Sequence, residues 1–272
     1  ILEGTNINCA GGPTPWGTWL SCEETGNGRV FETDPWGEVD AVERPALGRF
    51  KHEAVTIDSD LGCAYLSEDE SDGRLYRFVS SSIDAQGHLS LTDGELQVAV
   101  VDDAGGVTWV PVPDPLAEDG PTRWQVPAST VFDGGEGIWW FEGTVYLSTK
   151  GDNRIWAYDT NTQTIRTVYD RATTPDPEAL YGVDNLTVSA CGDVLVAEDS
   201  GQMRIVAVLP SGELKPLVQI EGQEESEITG PAFDPSGTRL YFSSQRATGI
   251  LGGITYEITG PFHEPMLDDE TC

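Results

Sequence analysis

Short alternating runs of apolar and polar residues recur along the chain, separated by glycine-bearing turns. Four segments can be laid over one another: "HEAVTIDSDLGCAYLSEDESDGRLYRFV", "EGIWWFEGTVYLSTKGDNRIWAYD", "DNLTVSACGDVLVAEDSGQMRIVAVL" and "TGPAFDPSGTRLYFSSQRATGILGGITYEIT". Each reads as a short apolar strand, a turn with Gly, a second strand, a polar loop, and a third strand with aromatic or β-branched alternation. Their first residues, His52, Glu136, Asp184 and Thr229, are 84, 48 and 45 residues apart. A repeat of roughly 45 residues with three or four strands per unit is what β-propeller blades show. The wide first gap holds an insertion at about residues 80–130, where "HLSLTDGELQVAVVD" and "VTWVPVPDPLAEDGPTRW" read as outer strands followed by a proline-rich loop. The opening stretch "NCAGGPTPWGTWLSCEE" fits the same frame as two strands, with "GRVFETD" as the third. Five blades are recognisable; a sixth would come from the insertion, from the two termini together, or from sequence upstream. The expected fold is therefore an all-β, six-bladed β-propeller, one domain over residues 1–272. The repeat weighs against a two-sheet sandwich.

Charge changes the picture next. The net charge of −31 comes from 46 acidic residues against fifteen basic ones. Such a surface offers no basic stripe to displace counterions from phosphate, so nucleic acid and anionic membranes are not expected partners. It attracts divalent cations instead. No run of about eighteen apolar residues occurs, so no membrane span is expected. The first residues, "ILEGTNIN", read as the middle of a strand without an initiator Met or visible signal peptide. The chain is expected to begin after processing or partway through a longer protein.

In a propeller, the loop before each first strand and the loop after each second strand share one face. Before first strands stand His52 and Glu53, Glu136, Asp184 and Asn185, and Glu227 with Thr229. After second strands stand Glu23 and Glu24, Glu68 and Asp69, Lys150 to Asn153, Glu198 and Asp199, and Gln245 with Arg246. The offsets agree: Cys9 to Glu23 is 14 residues, Glu53 to Glu68 is 15, and Asp184 to Glu198 is 14. Cys9 thus occupies the slot that Glu53, Glu136 and Asn185 fill elsewhere. Carboxylates gathered at one mouth repel each other unless protons or cations intervene. Oxygen-rich clusters suit Ca²⁺, while a thiolate among carboxylates suits a transition metal.

Five cysteines, Cys9, Cys22, Cys63, Cys191 and Cys272, carry no zinc-type spacing and do not settle the compartment. Cys9 and Cys22 stand at the near ends of neighbouring strands, so a disulfide, a metal ligand and a plain rigid corner are all open. His52, beside Glu53, is open as a ligand, an acid–base or a hydrogen-bonded structural group. His88 and His263 read as surface residues. Signatures of the GxSxG, P-loop, Rossmann and HExxH kinds are absent.

Together, "NCAGGPTPWGTWLSCEE", "GRFKHEA", "YLSEDESDGRLYRFV", "GGEGIWW" and "SSQR" resemble the PhoX family of bacterial alkaline phosphatases, from Gly4 to about Phe262. The resemblance implies a six-bladed propeller exported by the twin-arginine route to the periplasm or beyond. It also implies a mixed iron (Fe³⁺) and calcium cluster that hydrolyses small phosphomonoesters. By position, Cys9, Glu53 and Glu136 match iron ligands, Glu24 matches a further metal carboxylate, and Glu68 and Asp69 fall on an acidic pair. Glu23, Glu24, Glu68, Asp69, Asp184, Glu198 and Asp199, with Asn185 beside them, form the pool of calcium ligands. The family's arginine two residues before the Glu136 position is Gly134 here, and its QH pair is Gln245 and Arg246. Arg246 is the substitute donor to phosphoryl oxygens, and with His52 makes the candidate catalytic pair. The implied metal-bound thiolate at Cys9 leaves Cys22 an ordinary buried thiol. Two other functions are open: a Ca²⁺-dependent lactonase-like hydrolase using Glu136, Asp184 and Asn185, and a non-enzymatic calcium-binding propeller.

Overall fold

The computed structural model describes residues 1–247, 252–260 and 262; His263 and Cys272 lie outside the described residues. The strands follow the alternation read above. Sheet one is β1 (Asn8–Pro13), β2 (Trp19–Glu23), β3 (Val30–Thr33) and β4 (Val42–Glu43). Sheet two is β5 (His52–Asp58), β6 (Cys63–Glu68), β7 (Leu75–Ser80), β8 (Gly94–Val101) and β9 (Val107–Pro111). Sheet three is β10 (Gly135–Phe141), β11 (Thr144–Thr149), β12 (Arg154–Asp159) and β13 (Thr164–Asp170). Sheet four is β14 (Val183–Val188), β15 (Val194–Glu198), β16 (Arg204–Val208) and β17 (Leu214–Gln219), and sheet five is β18 (Ile228–Phe233), β19 (Arg239–Ser244) and β20 (Ile254–Thr259).

Every sheet runs in chain order, with each strand hydrogen-bonded to the next. This is the meander of a propeller blade. Five blades are present among the described residues, where six were expected. The reason is visible in sheet two: the insertion strands β8 and β9 pair onto β7 and extend that blade to five strands, founding no blade of their own. They are outer strands, as the sequence indicated.

The chain divides into two compact units, residues 1–151 with 157–166, and residues 152–156 with 167–272. In the first, Leu20, Cys22, Val30, Phe50, Val55, Leu66 and Phe78 form a buried core. Leu195, Ala197, Ile205, Ile228, Leu240 and Phe242 do so in the second. No helix among the described residues is long and apolar enough to cross a membrane.

One irregularity repeats in all five blades. The first strand of each slips by one residue against the second: between Asn8 and Gly11, His52 and Val55, Gly135 and Ile138, Val183 and Leu186, and Thr229 and Ala232. A β-bulge of this kind adds one unpaired residue and re-aims the side chains beside it. Cys9, Glu53, Glu136 and Asp184 each directly follow the last paired residue before the slip. The slot read from sequence offsets is therefore a bulge, and in blade four Asp184 occupies it, not Asn185.

Candidate metal centre

The bulges of β1 and β5 bring Cys9 and Glu53 together. Cys9 is exposed as a residue, yet its Sγ lies 3.0 Å from Oε1 of Glu53, a side chain buried in β5. Glu24 completes the group: its N–H donates to the Ile7 carbonyl at 2.8 Å, which draws the end of β2 against the approach to β1. Among the described residues, Cys9, Glu24 and Glu53 are a set whose ligand atoms all lie within 4.8 Å of one another. Burial drives the Cys9 thiol well above its ordinary pKa, and the charges and hydrogen-bonding of Glu53 and Glu24 raise it further. A thiol so placed stays protonated until a cation offsets the surrounding negative charge. One sulfur and two carboxylates fit a transition metal better than calcium.

Three other carboxylates expected as calcium ligands are committed elsewhere. Glu23, Glu68 and Glu198 each end a second strand, opposite Asn8, His52 and Val183 respectively. Each accepts the backbone N–H of the arginine six residues on: Arg29 at 3.1 Å, Arg74 at 3.2 Å and Arg204 at 3.0 Å. In two blades the guanidinium adds a fork. Arg29 holds Glu23 at 2.7 Å through both Nε and Nη2, and Arg204 holds Glu198 at 3.1 and 2.6 Å. The fourth donor also repeats, from Asn6 N–H to Glu23 at 2.8 Å and from Tyr181 N–H to Glu198 at 3.0 Å. In blade two, Arg123 and the Tyr76 hydroxyl take over at Glu68, at 3.2 and 2.8 Å. Burial nevertheless pushes the Glu68 pKa up to about 7. These carboxylates close the loop between second and third strands, and their hydrogen bonds go to backbone and arginine donors. The signal in the sequence is Glu-x5-Arg, repeated in register as "EETGNGR", "EDESDGR" and "EDSGQMR".

Two of the remaining candidates carry ammonium groups. Asp69 pairs with Lys51 at 2.6 Å, and Glu136 in its bulge carries the Lys150 ammonium at 2.9 Å. Glu136 is nevertheless tied to the strand of Glu53: Ser67 Oγ donates to the Glu136 carbonyl at 2.6 Å and accepts the Ala54 N–H at 3.1 Å. Gly134 has φ +66°, and a Cβ there would meet Gly151 N at 3.2 Å, so its left-handed backbone disfavours an arginine. His52 is fully buried, lies tilted against Phe50 at 3.7 Å between ring centroids, and faces the Gly48 carbonyl at 3.1 Å through Nε2. Burial lowers its pKa to about 3. A neutral, enclosed imidazole is a structural group, so His52 is not placed for acid–base work. His88, read as a surface residue, is half-buried, 3.3 Å from Asp84 and with its ring centroid 5.4 Å from that of Trp16. In the second unit, Asp184 is buried, Asn185 half-buried, and the Asp199 N–H donates to the Gly182 carbonyl at 2.8 Å. Arg246 pairs with Glu227 at 3.0 Å. Cys22 and Cys63 are free buried thiols, Cys9 is also free, and Cys191 is disulfide-bonded.

The sequence matches the family described as alkaline phosphatase PhoX over residues 1–34 and 26–173, more than half of the chain. The chain belongs to the PhoX family. Among solved structures it is similar to Pseudomonas fluorescens PhoX in complex with vanadate, described as a transition state analogue, at 22% identity and a TM-score of 0.72. That likeness covers 90% of this chain and 66% of the other, so the chain spans about two thirds of that PhoX. At this identity the likeness shows the fold, a PhoX-type β-propeller. A nidogen/laminin complex (14% identity, TM-score 0.54, covering 84% of this chain and 70% of that one) and Kuenenia stuttgartiensis hydrazine synthase (16%, 0.50, 90% and 58%) are more distant in shape. No curated protein matches the sequence.

Proposed function

We propose that this PhoX-family protein is a metal-dependent hydrolase of small phosphate monoesters, with Cys9, Glu53 and Glu24 as the ligands of a transition metal, iron by the family resemblance. The observation that carries the reading is the contact of 3.0 Å between Cys9 Sγ and buried Glu53 Oε1, with Glu24 in the same donor group. When bound, the metal supplies Lewis-acid stabilisation of charge that builds on phosphoryl oxygens. Calcium, a hard cation, belongs on oxygen donors alone.

The chain's own residues do the rest. The β-bulges aim Cys9 and Glu53 at one point, and burial of Glu53 fixes its carboxylate. The Cys9 proton, donated to Glu53 in the free protein, leaves to solvent as the site loads. Lys150, partly exposed beside Glu136, supplies positive charge for an incoming phosphate. Arg246 is proposed on chemistry alone, as an exposed guanidinium suited to phosphoryl oxygens. Export through the twin-arginine route belongs to the same proposal.

Elemental analysis of protein purified without chelator, paired with hydrolysis of p-nitrophenyl phosphate, tests the reading on wild type and Cys9→Ser. The expected result is bound iron and monoester turnover in wild type, both reduced by at least about 100-fold in the variant. Full metal content and turnover in Cys9→Ser would refute it.

A further inference from the structure

Lys51 stands two residues before Glu53, at the entrance to β5. Its Nζ lies 3.0 Å from Glu24 Oε1 and 2.6 Å from Asp69 Oδ2. All three side chains are partly buried, and the Asp69 N–H donates to the Lys51 carbonyl at 3.1 Å, so the backbone fixes the pairing as well. Glu24 is at the same time a member of the Cys9 and Glu53 group. One ammonium thus bridges a carboxylate of the metal group to a carboxylate outside it. Lysine is scarce here: only Lys51, Lys150 and Lys215 occur in a chain of net charge −31. Two of these three sit on acidic side chains that sequence reading assigned to metals, Lys150 being the other, at 2.9 Å from Glu136.

We infer that Lys51 is an internal counter-cation, its ammonium filling the place between Glu24 and Asp69 where an oxygen-bound divalent cation would otherwise bind. The inference rests on the reading of Cys9, Glu24 and Glu53 as a metal site. Two carboxylate oxygens converging within 3.0 Å of one point are the beginning of a calcium site. A cation cannot enter while the ammonium occupies that point, because two like charges cannot share it. The ammonium differs from calcium in what it does there. It cannot be chelated, it exchanges only by side-chain rotation, and it neutralises Glu24 without competing for the Cys9 sulfur. Asp69 then serves to hold Lys51 and is not a metal ligand in this chain.

The experiment titrates calcium chloride into chelator-treated full-length wild type, Lys51→Met, Asp69→Asn and the double variant by calorimetry, with elemental analysis of each protein as purified. Lys51→Met is expected to take up about one calcium ion more per chain than wild type, and the double variant to lose that gain. Asp69→Asn alone is expected to keep the wild-type metal content. No gain in Lys51→Met, or loss of an ion in Asp69→Asn, overturns the inference. Should Lys51→Met fail to fold, Lys51→Gln takes its place in the same titration, with the same gain of calcium expected and no gain overturning the inference. Cys9→Ser in the same series reports on the underlying metal site separately, since its iron content does not depend on Asp69.

Discussion

The division of carboxylates into loop-closing and metal-directed groups makes its sharpest prediction at Glu198. Its carboxylate is fully buried and accepts four N–H groups: the Arg204 backbone, Nε and Nη2, and the Tyr181 backbone. Arg204→Met removes the two guanidinium donors and leaves the two backbone ones. Breaking a buried ion pair from one side costs about 3–5 kcal/mol. The surviving donors place the expected loss near about 3 kcal/mol, and for a chain of this size each kcal/mol lowers Tm by about 2–4 °C. The predicted drop is thus about 6–12 °C. At Glu23, the partner Arg29 keeps 28% of its side chain exposed, so water replaces part of what is lost. Arg29→Met is expected to cost about 1 kcal/mol.

Calorimetric melting combined with elemental analysis checks both halves of the reasoning. The two arginine variants should melt early, in the order Arg204 before Arg29, while metal per folded chain stays at the wild-type value. Glu53→Gln should do the reverse, losing metal. A Tm for Arg204→Met within about 2 °C of wild type, or metal loss in parallel with destabilisation, would show that Glu198 is not a loop-closing group.

Two further outcomes are expected. His52 has a folded pKa near 3 against an ordinary 6.5, so the folded state binds fewer protons than the unfolded one in that window. Stability therefore falls as pH falls through it, by up to about 1.4 kcal/mol per unit; melting at pH 7 and pH 5 should show a larger loss in wild type than in His52→Gln, and equal losses would contradict the burial argument. Gly12 lies on β1 where an added Cβ would sit 1.8 Å from the Val55 carbonyl oxygen, a backbone atom that cannot step aside. Gly12→Ala should cost about 3 kcal/mol or more, measured as lost Tm, while Gly26→Ala, which meets nothing within 4 Å, should leave Tm unchanged.

Much of this arrangement is legible in the sequence because blades repeat. The offset between Cys9 and Glu23 recurs between Asp184 and Glu198, which brings the slot to within one residue; the slip after Val183 then puts Asp184 in it where the register had put Asn185. The sixth blade is not legible, since whether β8 starts a sheet or extends one depends on hydrogen bonding to β7. Neither is the burial of His52, because "KHEA" gives no sign that Phe50 will pack against the imidazole. The acidic pairs mislead for a simpler reason. Glu23 with Glu24, and Glu68 with Asp69, look like equivalent neighbours, but adjacent residues at a strand end point to opposite sides.

That alternation explains how a chain so acidic folds around a concentration of negative charge. The first carboxylate of each pair turns into the blade and meets backbone N–H groups and, in two blades, a guanidinium fork. It is neutralised locally, and arginine suits this work because its fork matches a carboxylate in a fixed plane. The second carboxylate turns away and meets an ammonium or a shared donor group, as Asp69 and Glu24 do. The bulge opposite then adds a donor from the first strand without disturbing the buried pair, because the extra residue is taken out of the ladder. Blade three shows the rule by its exception. Thr149 replaces the inward carboxylate opposite Gly135, Arg154 turns instead to Asp152 and Asp170, and Lys150 is left to reach Glu136 in the bulge. In this blade the inward carboxylate is missing, and the bulge carboxylate is neutralised by a lysine of its own blade.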